Sequence, residues 1–407
     1  MKKPVFIIVL LICSLFVSAQ SKLKFLYKGD LVTMGAEYVM NRLDTFNLSN
    51  LPDPKPKSKE RIKNVTPLTE RFWRLSLSVL EANMVKSEGG TIFATDLSSL
   101  GFCGVMGANT VFPKQMKQSL FKSLDSYLSG EIEEHKPEDI SWIWAAGDLF
   151  SINNKDADWQ WLFDKANEAF KQYYNKQFDS NDGLYRGIMS YLPMQNKEKN
   201  KSLAINCLYL KALETIEMAA DSLKLEKEKL RLAINKEFRN SDSTYASIKY
   251  ADGTLCKTTD VLGSSLALLF NVVNDNSSVA VLHDYPVNDF GVPLFSSAVE
   301  GLTTNDIGII RPLGVSIYCK AIEKVQSKDL TAYNMAVLVR GSKKVDKLAD
   351  IGITESGNTD NISQRDYFFE FIHAASGISD GEPRNILSAV SFIDVCIRAN
   401  LLTKKTE

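Results

Sequence analysis

The segment SLAINCLYLKALETIEMAADSL, Ser202 to Leu223, decides the fold class. Its apolar residues recur at the three- and four-residue spacing of a helix with a buried face: Ile205, Leu208, Ala212, Leu213, Ile216 and Ala220. A second such pattern runs from Val261 to Val273, and Asp260 is placed to cap it. Roughly ten helical stretches joined by short polar loops predict an all-α protein built from stacked helical hairpins.

Three local patterns refine this prediction. Asp158 is a plausible N-cap for a helix carrying Trp159 and Trp161, and Ser363–Ala375 has helical periodicity. Strand-like alternation from Ser243 to Leu255 predicts a hairpin that turns at Asp252-Gly253. We find no repeat of about 34 residues, which disfavours a tetratricopeptide solenoid.

Composition excludes some classes of protein. The 407 residues carry 48 Lys+Arg against 49 Asp+Glu, a formal charge of −1, so there is no basic field for nucleic acid. The six cysteines form no C-x-x-C pair, and the three histidines lie far apart along the chain. We therefore expect buried thiols, no metal site and no cofactor.

The N-terminus has the pattern of a secretory signal peptide. Lys2 and Lys3 precede an apolar run from Val5 to Val17, and small residues at Ser18-Ala19 offer a cleavage point. An uncleaved anchor is the alternative, and lipid attachment at Cys13 is disfavoured because no small residue precedes it. We expect an exported protein, periplasmic or extracellular, with no membrane span once the signal is removed.

The domain boundaries follow from the same reading. Residues 1–20 are the predicted signal peptide, and residues 21–60 are an irregular segment that ends in the proline-containing linker LPDPKPKSKE. Residues 61–407 are expected to form one helical domain, a size at which a single large domain is plausible.

Aromatic and acidic residues are concentrated in EDISWIWAAGDLF, Glu138 to Phe150. This stretch places Trp142 and Trp144 close to the carboxylate of Glu138. A sugar packs its C–H face on an aromatic ring while carboxylates bind its hydroxyls, so the mixture is typical of a carbohydrate site. Burial of the tryptophans in the core of two helices is the alternative interpretation.

The loop DSNDGLYRGIMSYLP, Asp179 to Pro193, lies between two strongly amphipathic helices. It carries one arginine and two tyrosines, and loops at the mouth of a helical hairpin often hold functional residues. We single out Asp182, Tyr185, Arg186 and Tyr191. The alternative is an ordinary solvated turn.

Eight blocks of the sequence, from about Gly89 onward, resemble in order the blocks of six-hairpin (α/α)6-barrel glycosidases. The first two are GGTIFATDL and WIWAAGDLF, and the central ones are DGLYRGIMSYL and the helix that follows it. KTTDVLGSSLALLF, DYPVNDFGVPLF, IIRPLGVSIYCKA and NISQRDYFFEFIHAASGI resemble the later blocks. The resemblance implies an (α/α)6 toroid that acts on a carbohydrate, with Asp96 and Arg365 as further substrate-binding residues.

The chain departs from that family where catalytic residues are expected. Ile188 and Pro193 stand where the family carries acidic residues, and SSLGFCGVMG lacks the family's Trp-x-Arg-Asp element. Glycoside hydrolysis normally needs two carboxyls flanking the scissile bond. A relocated acid and base would have to come from Asp182, Glu138 or Asp366, each of which is otherwise an ordinary turn or helix-start acid.

Two functions therefore stay open. The first is an exported glycoside hydrolase with a relocated catalytic pair. The second is a catalytically degenerate barrel that binds a glycan or a partner. A lyase or epimerase on a related toroid is weaker, since His283 is the one loop histidine suited to act as its base.

Overall fold

The computed structural model describes residues 67–398, with gaps at 88–89, 94, 108–113, 131–134, 154, 218–223, 243, 273–284, 286–291, 303–307, 325–343, 346–364, 367–370, 374–378 and 381–384. The predicted signal peptide, the linker, His283 and the N-terminal boundary of the helical domain lie outside the described residues. The domain boundaries therefore stay predictions.

Six helices form a closed inner ring, in which each helix packs against the next and the last packs against the first. In chain order they are α2 (Leu97–Gly107), α4 (Ser141–Asn153), α6 (Leu203–Glu217), α8 (Val261–Leu269), α9 (Pro312–Lys324) and α10 (Ile386–Arg398). Most residues of α6 and α8 are buried on every side, as expected for helices enclosed by others. The fold is an all-α six-hairpin (α/α)6 toroid, as the sequence predicted.

Outer helices cover this ring. They are α1 (Pro67–Ala82), α3 (Lys114–Ser129), α5 (Asp156–Gln172) and α7 (Lys224–Phe238). The α5 helix begins at Asp156, with Lys155 at the N-cap, so the predicted cap at Asp158 is wrong and this residue lies in the first turn. No helix in the described part of the chain is long and apolar enough to cross a bilayer.

Short strands connect the helices in small antiparallel sheets. They are β1 (Met84–Ser87), β2 (Gly90–Phe93), β3 (Phe178–Asp179), β4 (Leu184–Tyr185), β5 (Lys201–Ser202), β6 (Ile248–Lys249), β7 (Leu255–Cys256), β8 (Ile309–Ile310), β9 (Lys344–Val345), β10 (Arg365–Asp366), β11 (Phe371–His373) and β12 (Ser379–Asp380). The pairing of β6 with β7 is the predicted hairpin, and Gly253 in its turn has a φ of 87°. The predicted helix over Ser363–Ala375 is wrong at β10 and β11, where strand pairing prevails over helical periodicity.

The predicted burial of the cysteines is confirmed where the structure describes their side chains. Cys103, Cys207, Cys256 and Cys319 are buried thiols. They act as small apolar residues of the core, among large side chains such as Trp73, Tyr209 and Phe392.

Glycines allow the first two inner helices to approach closely. A Cβ built on Gly101 would lie 2.7 Å from the backbone nitrogen of Trp142, and one on Gly104 would lie 2.5 Å from the Cβ of Ala145. These contacts involve backbone or a side chain with no rotamer to change. Glycine is therefore required where α2 meets α4.

We expect Gly101→Ala to lower the free energy of unfolding by about 1–3 kcal/mol, because the added methyl forces the two backbones apart. Urea unfolding followed by circular dichroism measures this change. Gly130→Ala is the matched control, since a Cβ there meets nothing closer than 3.7 Å, and its effect should stay within about 0.5 kcal/mol. Equal stability of both variants would contradict close packing of α2 on α4.

Candidate functional site

Hydrogen bonds and ion pairs join the N-terminal ends of the inner helices at one end of the ring. Asp96 caps α2 through the backbone nitrogen of Ser99 at 2.8 Å and pairs with Lys136 Nζ at 2.6 Å. At the starts of α6 and α8, Leu203 N donates to Ser247 O and Val261 N donates to Leu294 O. We call this end of the ring the N-terminal mouth.

Asp96 is held ionised at this mouth. Burial alone would raise the pKa of its carboxyl, but hydrogen bonds from Lys136 and Ser99 and the lysine's charge outweigh burial and lower it. Its position suits the predicted substrate-binding role in one respect only, since about a third of its side chain is exposed. That role stays a prediction.

Glu138 is a buried carboxyl at the entrance to α4, at 3% exposure. The backbone N–H of Ser190 lies 3.1 Å from both of its oxygens, and the Ser190 hydroxyl donates to Oε1. Burial raises the pKa of Glu138, although the Ser190 hydrogen bonds and the charge of Lys136 oppose this. The structure therefore brings Glu138, a predicted catalytic residue, into contact with the central loop. The raised pKa of its carboxyl suits it to carry a proton.

Asp139 is a second buried carboxyl on the same turn, and the sequence did not single it out. Its Oδ2 accepts a hydrogen bond from the backbone nitrogen of Lys136 at 2.8 Å. Burial raises the pKa of Asp139 to about 7, and the neighbouring Glu138 adds to this. Two adjacent carboxyls with raised pKa values therefore share this part of the mouth.

Tyr191 and Arg311 meet across the mouth. The guanidinium carbon of Arg311, immediately before α9, lies 3.9 Å from the centroid of the Tyr191 ring. Burial raises the pKa of Tyr191; Arg311 opposes this, whereas Asp260 and Glu138 raise it further. The phenol of Tyr191 stays protonated at neutral pH.

Asp260 is the cap of α8 that the sequence predicted. Its Oδ2 accepts a hydrogen bond from Gly263 N at 2.7 Å, whereas Oδ1 is buried and has no hydrogen-bond partner among the described residues. Burial raises the pKa of Asp260 to about 7. Capping of α8 accounts for the hydrogen bond of Oδ2 and leaves the burial of Oδ1 unexplained. The sequence showed the cap but not the depth of burial, which arises from packing against α6.

We expect a pH dependence of stability from Asp260. The folded state keeps this proton up to about pH 7, whereas an unfolded aspartate releases it near its ordinary pKa of about 3.9. Between these values the folded state binds more protons, so the free energy of unfolding falls as pH rises from about 4 to about 7. The slope reaches about 1.4 kcal/mol per pH unit for a single group.

Urea unfolding of Asp260→Asn at pH 5, 6 and 7 tests this, because asparagine preserves the cap but does not titrate. The slope should be shallower in the variant, with Asp139 still contributing to both proteins. Asp252→Asn is the control: its Oδ1 caps Thr254 N in an exposed turn, so the slope should not change. Parallel slopes for wild type and Asp260→Asn would rule out a raised pKa at Asp260.

Asp182 belongs to a network of ion pairs at the central loop. Its Oδ2 is 2.7 Å from Lys201 Nζ and 2.8 Å from Lys249 Nζ. Burial would raise the pKa of Asp182, but hydrogen bonds and charge from the two lysines outweigh burial and lower it. A carboxylate held ionised cannot supply a proton at neutral pH, so this geometry favours a role in holding the loop.

Arg186, a predicted substrate-binding residue, belongs to the same network of ion pairs. Its Nη2 lies 3.2 Å from Asp179 Oδ2, and Lys201 reaches the same oxygen at 2.9 Å. The Arg186 side chain remains 40% exposed. It is therefore placed to hold the loop, and its predicted substrate-binding role stays a prediction.

The predicted aromatic contacts lie in the core. Trp142 is fully buried and donates its Nε1–H to the Tyr174 hydroxyl at 3.1 Å, and Trp144 is 6% exposed. Tyr185 stacks on Tyr209 with ring centroids 3.7 Å apart. Since none of the three predicted rings has an open face, this geometry favours packing over sugar stacking.

The remaining predicted residues cannot be placed by their side chains. Arg365 and Asp366 form β10 and pair with Val345 and Lys344. Their side chains lie outside the described part of the chain. Their predicted roles stay predictions. Among the described residues, no group of three or more His, Cys, Asp or Glu side chains could hold a metal ion.

Solved structures with a similar fold include glycoside hydrolases. The family GH78 rhamnosidase of Bacillus sp. GL1 superposes with a TM-score of 0.56 at 14% identity over 84% of this chain, which spans only 35% of the rhamnosidase. The family GH63 mannosylglycerate hydrolase of Thermus thermophilus gives 0.53 at 11% identity, with 79% of this chain and 99% of that chain covered.

A metal-independent α-mannosidase of Streptococcus pneumoniae, in complex with α-1,6-mannobiose, gives a TM-score of 0.56 at 11% identity and covers 92% of this chain and 100% of that chain. No protein-family model and no curated protein matches the sequence. At such identities the similarity establishes the six-hairpin glycosidase-like fold that the sequence blocks predicted.

Proposed function

We propose that this protein is an exported glycosidase-like protein that binds a glycan at the N-terminal mouth and hydrolyses a glycosidic bond there. The observation that carries the proposal is the cluster of buried carboxyls at this mouth. Glu138, Asp139 and Asp260 all have raised pKa values. Glycoside hydrolysis needs a carboxylic acid that keeps its proton near neutral pH.

Glu138 is the general acid in this proposal. It adjoins the central loop through Ser190, the residue before Tyr191, whose ring packs on Arg311. Asp182 is less suitable, because two lysines hold it ionised. The fold likeness to hydrolases that act on glycosides supports a carbohydrate substrate, and the N-terminal sequence pattern supports export.

Glycan binding without hydrolysis is the second candidate. Ile188 and Pro193 occupy loop positions where the family resemblance calls for acidic residues, and both side chains are apolar. A barrel that has lost its catalytic pair of carboxyls can still bind a sugar. This second function therefore uses the same site as the hydrolase but carries out no reaction there.

One experiment separates these functions. The mature chain is incubated with aryl rhamnosides, aryl mannosides and α-1,6-mannobiose, and released sugar is quantified; binding of the same compounds is measured by calorimetry. Turnover supports the hydrolase, and binding with no released sugar supports the second candidate. If the protein neither binds nor hydrolyses any sugar on a broad oligosaccharide array, both functions are excluded.

A further inference from the structure

Ser190 contacts the carboxyl of Glu138 through two different donors. Its backbone N–H lies 3.1 Å from each carboxyl oxygen, and its hydroxyl donates to Oε1. Among the residues that the structure describes, no other residue forms a hydrogen bond with this carboxyl. A single residue of the central loop therefore serves a buried acid on the turn before α4.

The two oxygens of Glu138 are not equivalent. Oε1 accepts two hydrogen bonds from Ser190, one from the hydroxyl and one from the N–H, whereas Oε2 accepts one, from the N–H that it shares with Oε1. In a protonated carboxyl, one oxygen is an O–H donor and the other is an acceptor. The oxygen with more donors around it is the better acceptor site, so this contact favours the proton on Oε2.

Other contacts fix Ser190 on the turn that carries this acid. Gly187 has a φ of 115°, and a Cβ built on it would lie 2.7 Å from Cγ of Pro137. Glycine is therefore needed where the loop lies against the turn. Gly187 N donates to Asn200 O at 2.7 Å, and Lys197 Nζ donates to Ser190 O at 2.7 Å. The position of Ser190 is thus held from both sides of the loop and not by the carboxyl alone.

Few charged groups surround Glu138. Those that interact with it electrostatically are Lys136 and Asp139 on its own turn and Tyr191 in the central loop. Lys136 also pairs with Asp96 at 2.6 Å, and Arg311 packs on the ring of Tyr191. The inner helices α2, α4 and α6, which pack on this turn, carry no charged side chain in their first seven residues.

Ser190 favours the ionised form of Glu138. Burial raises the pKa of this carboxyl, whereas the hydrogen bonds from Ser190 and the charge of Lys136 lower it. The two effects oppose each other, so loss of the Ser190 hydroxyl would leave burial less opposed.

We propose that Ser190 is the positioning residue of Glu138: it holds Oε1, leaves Oε2 to carry the proton and sets the pH range in which that proton is available. The inference rests on the hydrolysis proposed above and assigns control of its acid to the central loop. Ser190 acts through Glu138 and is not itself a catalytic residue.

Infrared spectroscopy tests this contact without a substrate. Subtracting the spectrum of Glu138→Gln isolates the Glu138 carboxyl band, since Asp139 and Asp260 contribute to both spectra. The same subtraction is then made in the Ser190→Ala background. There the titration midpoint should be about one pH unit or more higher, because the ionised carboxylate has lost a hydrogen bond. The C=O band should also move to higher frequency, since a hydrogen bond to the carbonyl oxygen weakens the C=O bond.

The pH profile of kcat/KM tests the consequence for turnover, because it reports the acid of the free enzyme. Activity that needs protonated Glu138 falls as pH rises through its pKa. In Ser190→Ala this basic limb should therefore move to higher pH, by the same amount as the infrared midpoint. KM should stay within about twofold, since Ser190 acts on the acid and not on the substrate.

Two further variants serve as controls. Ser190→Thr keeps the hydroxyl and should restore both the midpoint and the basic limb of the wild type. Ser151→Ala removes an exposed hydroxyl on α4 that donates to Asp148 O at 2.8 Å. Neither the midpoint nor the limb should move in that variant.

The outcomes separate this inference from the proposed function. An unchanged infrared midpoint in Ser190→Ala overturns the role of Ser190 even if the protein hydrolyses glycosides. A shifted midpoint with an unmoved basic limb overturns it as well, because Glu138 is then not the acid. A shifted midpoint without turnover of any sugar refutes the hydrolase and supports the control of Glu138 by Ser190. Equal shifts of midpoint and limb support both.

Discussion

Replacing Glu138 by glutamine is expected to lower the turnover number for a glycoside substrate by about 10²- to 10⁴-fold, the range lost when a general acid is removed. Glutamine has nearly the same shape, and its carbonyl oxygen can still accept the Ser190 hydrogen bonds. It has no proton to donate to the leaving oxygen. Steady-state kinetics with the oligosaccharide that the wild type hydrolyses best measures the loss, because a sugar leaving group, unlike an aryl one, departs poorly without a proton.

Glu228→Gln is the matched control. Glu228 lies on outer helix α7, where it pairs with Arg231, and its side chain is 44% exposed. Calorimetric affinity for the glycan should stay within about twofold in both variants, because a general acid acts mainly on the transition state. Full turnover by Glu138→Gln would exclude Glu138 as the acid, and the carboxyl of Asp139 would then be the group to test.

Replacing Asp394 by alanine is expected to destabilise the protein by about 1.5–3 kcal/mol, because it removes a buried carboxylate that accepts a hydrogen bond and lies beside the Lys320 cation. Asp394 on α10 is 1% exposed, accepts a hydrogen bond from Ser316 Oγ at 2.6 Å and lies 4.0 Å from Lys320 Nζ. Lys320 also donates to Val105 O on α2. This cluster joins three helices of the inner ring, so its loss acts on ring closure.

The double variant Asp394→Leu with Lys320→Met distinguishes an uncompensated charge from a packing defect. Two apolar side chains of similar volume should recover most of the stability lost in the single variant. Lys211→Met with Glu214→Leu is the control, an i,i+3 pair on α6 whose side chains are 22% and 40% exposed, with an expected change within about 1 kcal/mol. Urea unfolding measures all three, and a stable Asp394→Ala would refute the ion pair's role.

The sequence predicted the helices better than the segments between them. Periodicity placed α6 and α8, and Asp260 was recognised as a cap because capping is a local interaction between a side chain and the next turn. The periodicity of Ser363–Ala375 was misleading at β10 and β11. Strand pairing depends on distant partners, and a local pattern contains no information about them.

The candidate site followed the same division. Glu138 was identified from its neighbourhood of acids and aromatics, but Trp142 and Trp144 proved to be core residues. A tryptophan that packs in the core and a tryptophan on which a sugar stacks can have the same sequence pattern around them. Only the packing of α4 inside the ring separates the two.

What the sequence by itself determined is therefore the class and order of the helices and the toroid. Tertiary structure alone decided the state of each carboxyl. Two lysines from β5 and β6 hold Asp182 ionised, whereas burial without a cation partner raises the pKa of Asp260 to about 7. Helical periodicity is a local property, but desolvation and pairing depend on groups that the fold brings together from distant parts of the chain.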